Sequence, residues 1–203
     1  MVAICGPNGA GKTTLLKAIA GTLPSDRDSI KWRGAPIPAN RSFISYIPQK
    51  KDMDPGFPLT IRSWVETGRY SHTGLFRSLK KEDHAAVQHA LELTRISNIS
   101  NQSINTLSGG QMQRAYIARA IAQEAQLVLM DEPLEGLDEQ SREDVLLSMR
   151  NLVDNGALIL ASLHNQSICQ LSFSYCAWIE NQHIRLTSNH SDCSHHKHSH
   201  NHP

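Results

Sequence analysis

The sequence predicts an α/β fold, a mostly parallel sheet flanked by helices with a helical subdomain inserted into it. Three stretches carry that expectation. Val2-Ala3-Ile4-Cys5 runs through a glycine-rich loop into a helical pattern, giving strand, loop and helix in succession. Leu127-Val128-Leu129-Met130 and Ala157-Leu158-Ile159-Leu160-Ala161 are compact apolar strands with a helical pattern between them, the arrangement of a parallel crossover. Over residues 59–99 the sheet pattern stops and helical signals replace it. A chain of 203 residues with 39% apolar content has room for one well-buried core.

Taken in order, the first strand opens onto Gly6-Pro7-Asn8-Gly9-Ala10-Gly11-Lys12-Thr13-Thr14, which fits the phosphate-loop pattern G-x-x-x-x-G-K-[ST] in its required context of strand, loop and helix. Its glycines let backbone N–H groups point inward, where they and the dipole of the next helix favour a polyphosphate. Lys12 is expected to reach the β- and γ-phosphates and Thr13 to ligate Mg²⁺. Gly21 and Pro24 close the helix, residues 29–33 read as a short strand, and residues 34–38 read as a turn. Phe43-Ile44-Ser45-Tyr46-Ile47 is a buried strand ending at Pro48-Gln49, and residues 51–58 form a turn-rich loop.

Residues 61–67 then predict a short helix, and residues 82–96 a longer one with Ala86, Val87, Ala90, Leu91 and Thr94 on one face. Leu107-Ser108-Gly109-Gly110-Gln111 opens another helix, capped by Ser108, in which Met112, Ala115, Ala118 and Ile121 or Ala122 share a face. The strand at 127–130 ends in the carboxylates Asp131 and Glu132. Asp138 caps a helix over residues 139–154, whose face holds Val145, Met149 and Leu152 and whose stop is Asn155-Gly156. The strand at 157–161 ends near His164. Ligands of open parallel sheets sit outside the carboxyl ends of the strands, so the phosphate loop, Gln49, Asp131 and His164 should converge there. Residues 175–186 read as two strands around Glu180-Asn181-Gln182. From residue 188 the chain is polar, without apolar anchors, and is expected to be disordered.

Composition narrows the function classes. A net charge of +1 gives no uniform field of the kind that draws nucleic acid or an anionic membrane. No apolar run reaches the 18 or more residues of a membrane span, so a membrane role comes through a partner. Cys5, Cys169, Cys176 and Cys193 have no short paired spacing and no secretory signal precedes them, which reads as free thiols in a reducing compartment.

Ser108-Gly109-Gly110-Gln111 with Met112-Gln113-Arg114 resembles the signature motif of ATP-binding cassette proteins, and the resemblance runs from Val2 to about Leu186. It takes in the phosphate loop at 6–14, Gln49 as Q-loop glutamine, the signature at 107–111, a Walker B run into Asp131-Glu132-Pro133, a D-loop ending in Gly136-Leu137-Asp138, and His164 as switch histidine. The resemblance implies the fold of a P-loop NTPase with an ATPase domain over residues 1–187 and its helical subdomain at about 59–112. It implies ATP and Mg²⁺ as cofactors, with Thr13, Gln49 and Asp131 on the metal. Glu132 would polarise the attacking water, with His164 and Gln49 assisting. It also implies a head-to-tail dimer, in which Ser108, Gly109, Gly110, Gln111 and Asp138 of one copy face ATP on the loop of the other. ATP closes such a dimer and hydrolysis opens it.

The stretches Gly56-Phe57-Pro58-Leu59-Thr60-Ile61 and Glu66-Thr67-Gly68-Arg69-Tyr70 look like the zinc, manganese and iron importer branch. That branch implies a membrane permease as partner, a metal-binding receptor acting indirectly, and a peripheral place on the cytoplasmic face of the inner or plasma membrane. His190, His195, His196, His198, His200 and His202, with Asp192 and Cys193, supply ligands suited to zinc, nickel or copper. An unselected polar extension or a purification remnant is the plainer reading of this tail.

The chain also departs from the family. About thirty residues that normally precede the first strand, with an aromatic that stacks on adenine, have no counterpart before Met1. Loss of a stack of roughly 1–3 kcal/mol would weaken ATP binding, and an uncovered sheet edge would lower stability. Asp26-Arg27-Asp28 stands where a turn glycine is usual, and Glu135 where a small residue is common; neither is expected to touch the catalytic groups directly. The rival readings are a non-transporting metal-binding or regulatory protein with a shortened cassette, an importer subunit for another cargo, and a cassette protein of DNA repair or translation. The last would carry a second cassette or a long heptad insertion, which this chain lacks.

Overall fold

The computed structural model describes residues 1–24, 30–38, 41–49, 59–73, 78–164, 166–180 and 183–189. Its main sheet has six strands in the order β4-β5-β6-β1-β7-β8. They are β1 (Val2–Cys5), β4 (Ile44–Ile47), β5 (Leu127–Asp131), β6 (Leu158–Ser162), β7 (Tyr175–Glu180) and β8 (His183–Ser188). All neighbours pair in parallel except β7 with β8. The predicted crossover is present: β5 and β6 lie side by side and are joined through α6 (Glu139–Asp154).

Successive residues of the inner strands alternate between two apolar layers, so both faces are buried and the strands read as continuous apolar runs. On one face Ile4, Leu127, Leu129 and Ile179 pack with Leu16 of α1 (Lys12–Ala20). On the other, Ala3, Val128, Met130, Ile159 and Ala161 belong to a larger core. That core continues without a break into the helical segment through Ile61, Val65, Val87, Leu91 and Ile117.

The helical segment consists of α2 (Ile61–Glu66), a 3₁₀ turn at Thr67–Arg69, α3 (Tyr70–Thr73), α4 (Lys81–Leu93) and α5 (Gly109–Ala122). Thr60 caps α2 by accepting from the Ser63 N–H at 3.1 Å. The expected face of α4 is buried at Val87, Ala90, Leu91 and Thr94. The single apolar face expected of α5 is not what forms. Ala115, Tyr116, Ile117, Ala118, Ala120, Ile121 and Ala122 are all buried, because α2, α4 and α6 surround the helix.

The stretch from Glu66 to Tyr70 serves packing, starting with the Gly68 backbone. A Cβ at Gly68 would sit 2.5 Å from the Arg119 carbonyl oxygen of α5. Arg69 is buried and donates to Asp83 Oδ1 at 2.9 Å, to the Ala122 carbonyl at 2.8 Å and to Glu124 Oε1 at 2.7 Å.

Two further elements differ from expectation. Residues 34–38, read as a turn, include β3 (Ala35–Pro36), which pairs antiparallel with β2 (Lys31–Trp32). Arg33 and Gly34 both take left-handed backbone, at φ 50° and 83°, as a two-residue hairpin turn demands. α7 (Gln166–Ser172) follows β6 and has no forerunner in the sequence reading; at seven residues it is too short to show a helical period. Residues 188 and 189, expected to begin a disordered tail, are instead placed: Ser188 ends β8, and Asn189 donates to the Ser174, Cys169 and Phe173 carbonyls. The turn-rich loop at 51–58, residues 26–28 and the histidine tail from His190 lie outside the described residues.

Candidate active site

Four loops leave the carboxyl ends of β4, β5, β6 and β1, which are adjacent in the sheet, and so they meet at one edge. The first is the phosphate loop. Gly9 and Gly11 adopt left-handed backbone at φ 81° and 95°, and Ala10 donates its N–H to the Pro7 carbonyl at 3.2 Å. Lys12, 6% exposed, folds back over the loop and donates to the carbonyls of Gly6 at 2.8 Å and Pro7 at 3.1 Å. Those carbonyls hold the ammonium over the loop.

Asn8, Gly9, Gly11, Lys12, Thr13, Thr14, Gln49, Glu132, Glu135 and His164 line a cleft of about 430 Å³. Gln49, two residues past β4, donates through Nε2 to the Glu132 carboxylate and to Glu135 Oε2 at 2.8 Å. His164 Nε2 hydrogen-bonds the other oxygen of Glu132. Thus one carboxylate is gripped from two neighbouring loops. The expectation that Glu135 stays clear of the catalytic groups does not hold: it shares the Gln49 amide with Glu132 and raises the Glu132 carboxyl. The turn 132–135, closed by the Glu135 N–H on the Glu132 carbonyl at 3.2 Å, carries its side chain back to the cleft.

Burial raises the Glu132 carboxyl above its ordinary pKa, and the hydrogen bond with Glu135 adds to the rise, while His164 acts against it. Ser162, which the sequence reading passes over, links the two acids of the Walker B run. Its hydroxyl donates to Asp131 Oδ1 at 2.6 Å and accepts the Glu132 backbone N–H at 2.8 Å. The signal that could have found it is its position, two residues before His164 at the end of β6. Asp131 itself is buried, 3% exposed.

The signature residues are engaged locally. Ser108 Oγ accepts from the Gln111 N–H at 3.3 Å while Gln111 Oε1 accepts from the Ser108 N–H at 2.9 Å, a capping box at the start of α5. Gly110 lies against α6, where a Cβ would meet that of Ser141 at 2.7 Å. Gly109 lines a neighbouring cavity with Met112, Gly136 and Leu137. Asp138 caps α6, accepting from the Ser141 N–H at 2.9 Å and hydroxyl at 2.7 Å, and these bonds hold its carboxyl below the usual range. Ser108, Gly110, Gln111 and Asp138 are not among the residues lining the phosphate-loop cleft.

The cleft suits a nucleoside triphosphate with Mg²⁺. Left-handed loop glycines precede a helix start, a buried ammonium sits over the loop, and the hydroxyl of Thr13 and the amide of Gln49 are oxygen donors of the kind that Mg²⁺ prefers. Asp131, the third expected ligand, does not line the cleft: it is buried behind it, with Oδ1 bonded to Ser162.

Fold and site together define a phosphate-loop ATPase of the cassette type. The chain belongs to the ABC transporter family, whose profile matches residues 1–135. It is 37% identical over 165 residues to the manganese transport system ATP-binding protein MntB of Listeria innocua, covering 81% of this chain and 69% of that protein. It is 37% identical over 163 residues to the zinc transport system ATP-binding protein TroB of Treponema pallidum, covering 80% of this chain and 61% of that one. Among solved structures, a nucleotide-free ATP-binding cassette from an ABC transporter superposes with a TM-score of 0.79 at 22% identity, covering 93% of this chain and 80% of that one. Among the described residues no helix is long and apolar enough to cross a membrane.

Proposed function

We propose that this chain is the ATP-hydrolysing subunit of a metal-ion importer for zinc or manganese, powering a separate membrane permease from the cytoplasmic face. The hydrolytic part rests on the Glu132 carboxylate, gripped by Gln49 and His164 at the mouth of the phosphate loop. The cargo rests on the relatives named for manganese and zinc transport. Residues 1–187 form the ATPase domain, with the helical subdomain at about 59–112 docking on the permease. A metal-binding receptor outside the membrane delivers cargo to that permease.

In this reading Lys12 exchanges the Gly6 and Pro7 carbonyls for oxygens of the β- and γ-phosphates. Glu132 takes a proton from the water that attacks the γ-phosphorus, His164 orients that water, and Gln49 holds the carboxylate toward the cleft. Thr13, Gln49 and, after moving toward the cleft, Asp131 would hold Mg²⁺, which would supply neutralisation of charge on the phosphates. Signature residues 108–111 and Asp138 of a second copy complete the site. Glu132→Gln keeps the shape and removes the base, so ATP hydrolysis should fall about 10²- to 10⁴-fold; normal phosphate release from this variant would refute the assignment.

The tail, residues 188–203, binds zinc or another transition metal through His190, His195, His196, His198, His200 and His202 and adjusts import to supply. Near pH 7 most imidazoles are neutral and able to ligate. Deleting 188–203 should abolish the response of ATPase activity to added Zn²⁺. An unchanged response would show that the tail has no such role.

A further inference from the structure

Behind the phosphate loop three cysteines meet. Cys5 ends β1, Cys176 lies on the adjacent strand β7, and Cys169 comes from α7, which packs against both strands. Sequence alone presents them as separate thiols, because 164 residues separate Cys5 from Cys169 along the chain. Cys5 and Cys176 share a face because Ala3 pairs with Cys176 and Cys5 stands two residues beyond Ala3. Cys5 Sγ lies 2.7 Å from Cys169 Sγ and 3.1 Å from Cys176 Sγ, and all three sulfurs fall within 4.8 Å of one another. Their exposures are 3%, 1% and 3%.

A single buried cysteine behaves as a small apolar side chain. Here three side chains from three elements turn their soft donor atoms toward one point. We infer that Cys5, Cys169 and Cys176 form a three-sulfur site for a thiophilic d¹⁰ cation of low coordination number, and that copper(I) is the ion whose chemistry it fits.

All-sulfur donor sets select copper(I), zinc or iron–sulfur clusters. Structural zinc takes four ligands in a tetrahedron, and iron–sulfur clusters take four cysteines. Among the described residues no fourth histidine, cysteine or carboxylate joins this group. Copper(I) is satisfied by two or three sulfurs. Binding with two thiolates and one thiol releases two protons and moves no electrons. With metal–sulfur bonds of about 2.3 Å, a planar three-sulfur site spreads the sulfurs to about 4 Å. Loading therefore pushes α7 away from the end of β1, one residue before Gly6, whose carbonyl holds Lys12.

The test is an anaerobic titration of the full chain with copper(I) against the chromophoric chelator bicinchoninate, beside a Cys5→Ala/Cys169→Ala/Cys176→Ala variant. The tail is identical in the two proteins, so the difference in uptake reports the cluster alone. The expected result is one equivalent more in the unsubstituted chain, and equal uptake overturns the proposal. Should the triple variant fail to fold, X-ray absorption at the copper edge of the unsubstituted chain at one equivalent decides. Measured also on the chain ending at Asn189, which removes the tail's histidines, a shell of sulfur alone supports the site, and nitrogen in the shell of that shortened chain overturns it. Thiol counting on the denatured chain, purified without reductant, should give four. Two missing thiols mapped to Cys5 and a partner would show a disulfide in place of a metal site.

Discussion

At the scale of the residue, Glu132 concentrates the unusual features of this chain. Its backbone is left-handed, at φ 51°, a conformation that costs about 1–3 kcal/mol for a residue other than glycine. The Ser162 hydroxyl receives its N–H and holds it in that state. The strained turn lets the side chain leave β5 sideways into the cleft, where Gln49 and His164 take one carboxylate oxygen each. Burial and Glu135 both lift its pKa toward the working range of a general base. Because Glu135 raises that pKa, removing its charge lowers it. Glu135→Gln should therefore move the acid limb of the kcat profile to lower pH, since Glu132 stays ionised further into acid. Phosphate release measured across pH checks this, and a limb that stays in place or moves upward would show that Glu135 does not couple to the base.

At the scale of the element, α5 joins the two halves of the molecule. It begins with the capping box Ser108–Gln111 and is buried all round from Ala115 to Ala122 apart from Arg119. The 3₁₀ turn at Thr67–Arg69 presses on it so closely that Gly68 has no room for a side chain. Gly68→Ala should cost about 1–3 kcal/mol, or roughly 2–4 °C in melting temperature per kcal/mol for a chain of this size. An unchanged denaturation midpoint would mean that the turn and α5 part without strain. What was legible in the sequence follows the same division. Strands β1, β4, β5 and β6, the Asp138 and Ser108 caps and the phosphate loop are written in contiguous residues, whose period and chemistry declare them. The all-round burial of α5, the approach of Glu135 to Gln49 and the meeting of Cys5, Cys169 and Cys176 depend on elements distant in the chain. Periodicity carries no information about such contacts.

At the scale of the whole molecule, the proposed dimer asks one chain to present two half-sites. The phosphate loop, Gln49, Glu132 and His164 line one cleft, while Ser108, Gly110 and Gln111 are not among its lining residues and Gly109 borders the adjoining cavity, which shares Gln49, Glu132 and Glu135 with it. The start of α5 carries the positive end of a helix dipole, which suits a γ-phosphate held by another copy. In the proposed head-to-tail dimer there would be two composite sites, each with its loop from one chain and its signature from the other. This geometry makes a specific forecast for mixtures of two inactive variants. Lys12→Ala spoils the loop and leaves the signature, and Ser108→Arg spoils the signature and leaves the loop, so each alone should be inactive. Mixed in equal amounts and allowed to exchange, half the dimers pair unlike chains, and each of those has one intact site and one doubly damaged site. With sites acting independently, activity should recover to about a quarter of that of the unsubstituted protein. Phosphate release measured over a series of mixing ratios should peak at equal amounts. If the mixture stays as inactive as its components while sedimentation shows unlike chains pairing, the two half-sites do not complete each other across the dimer.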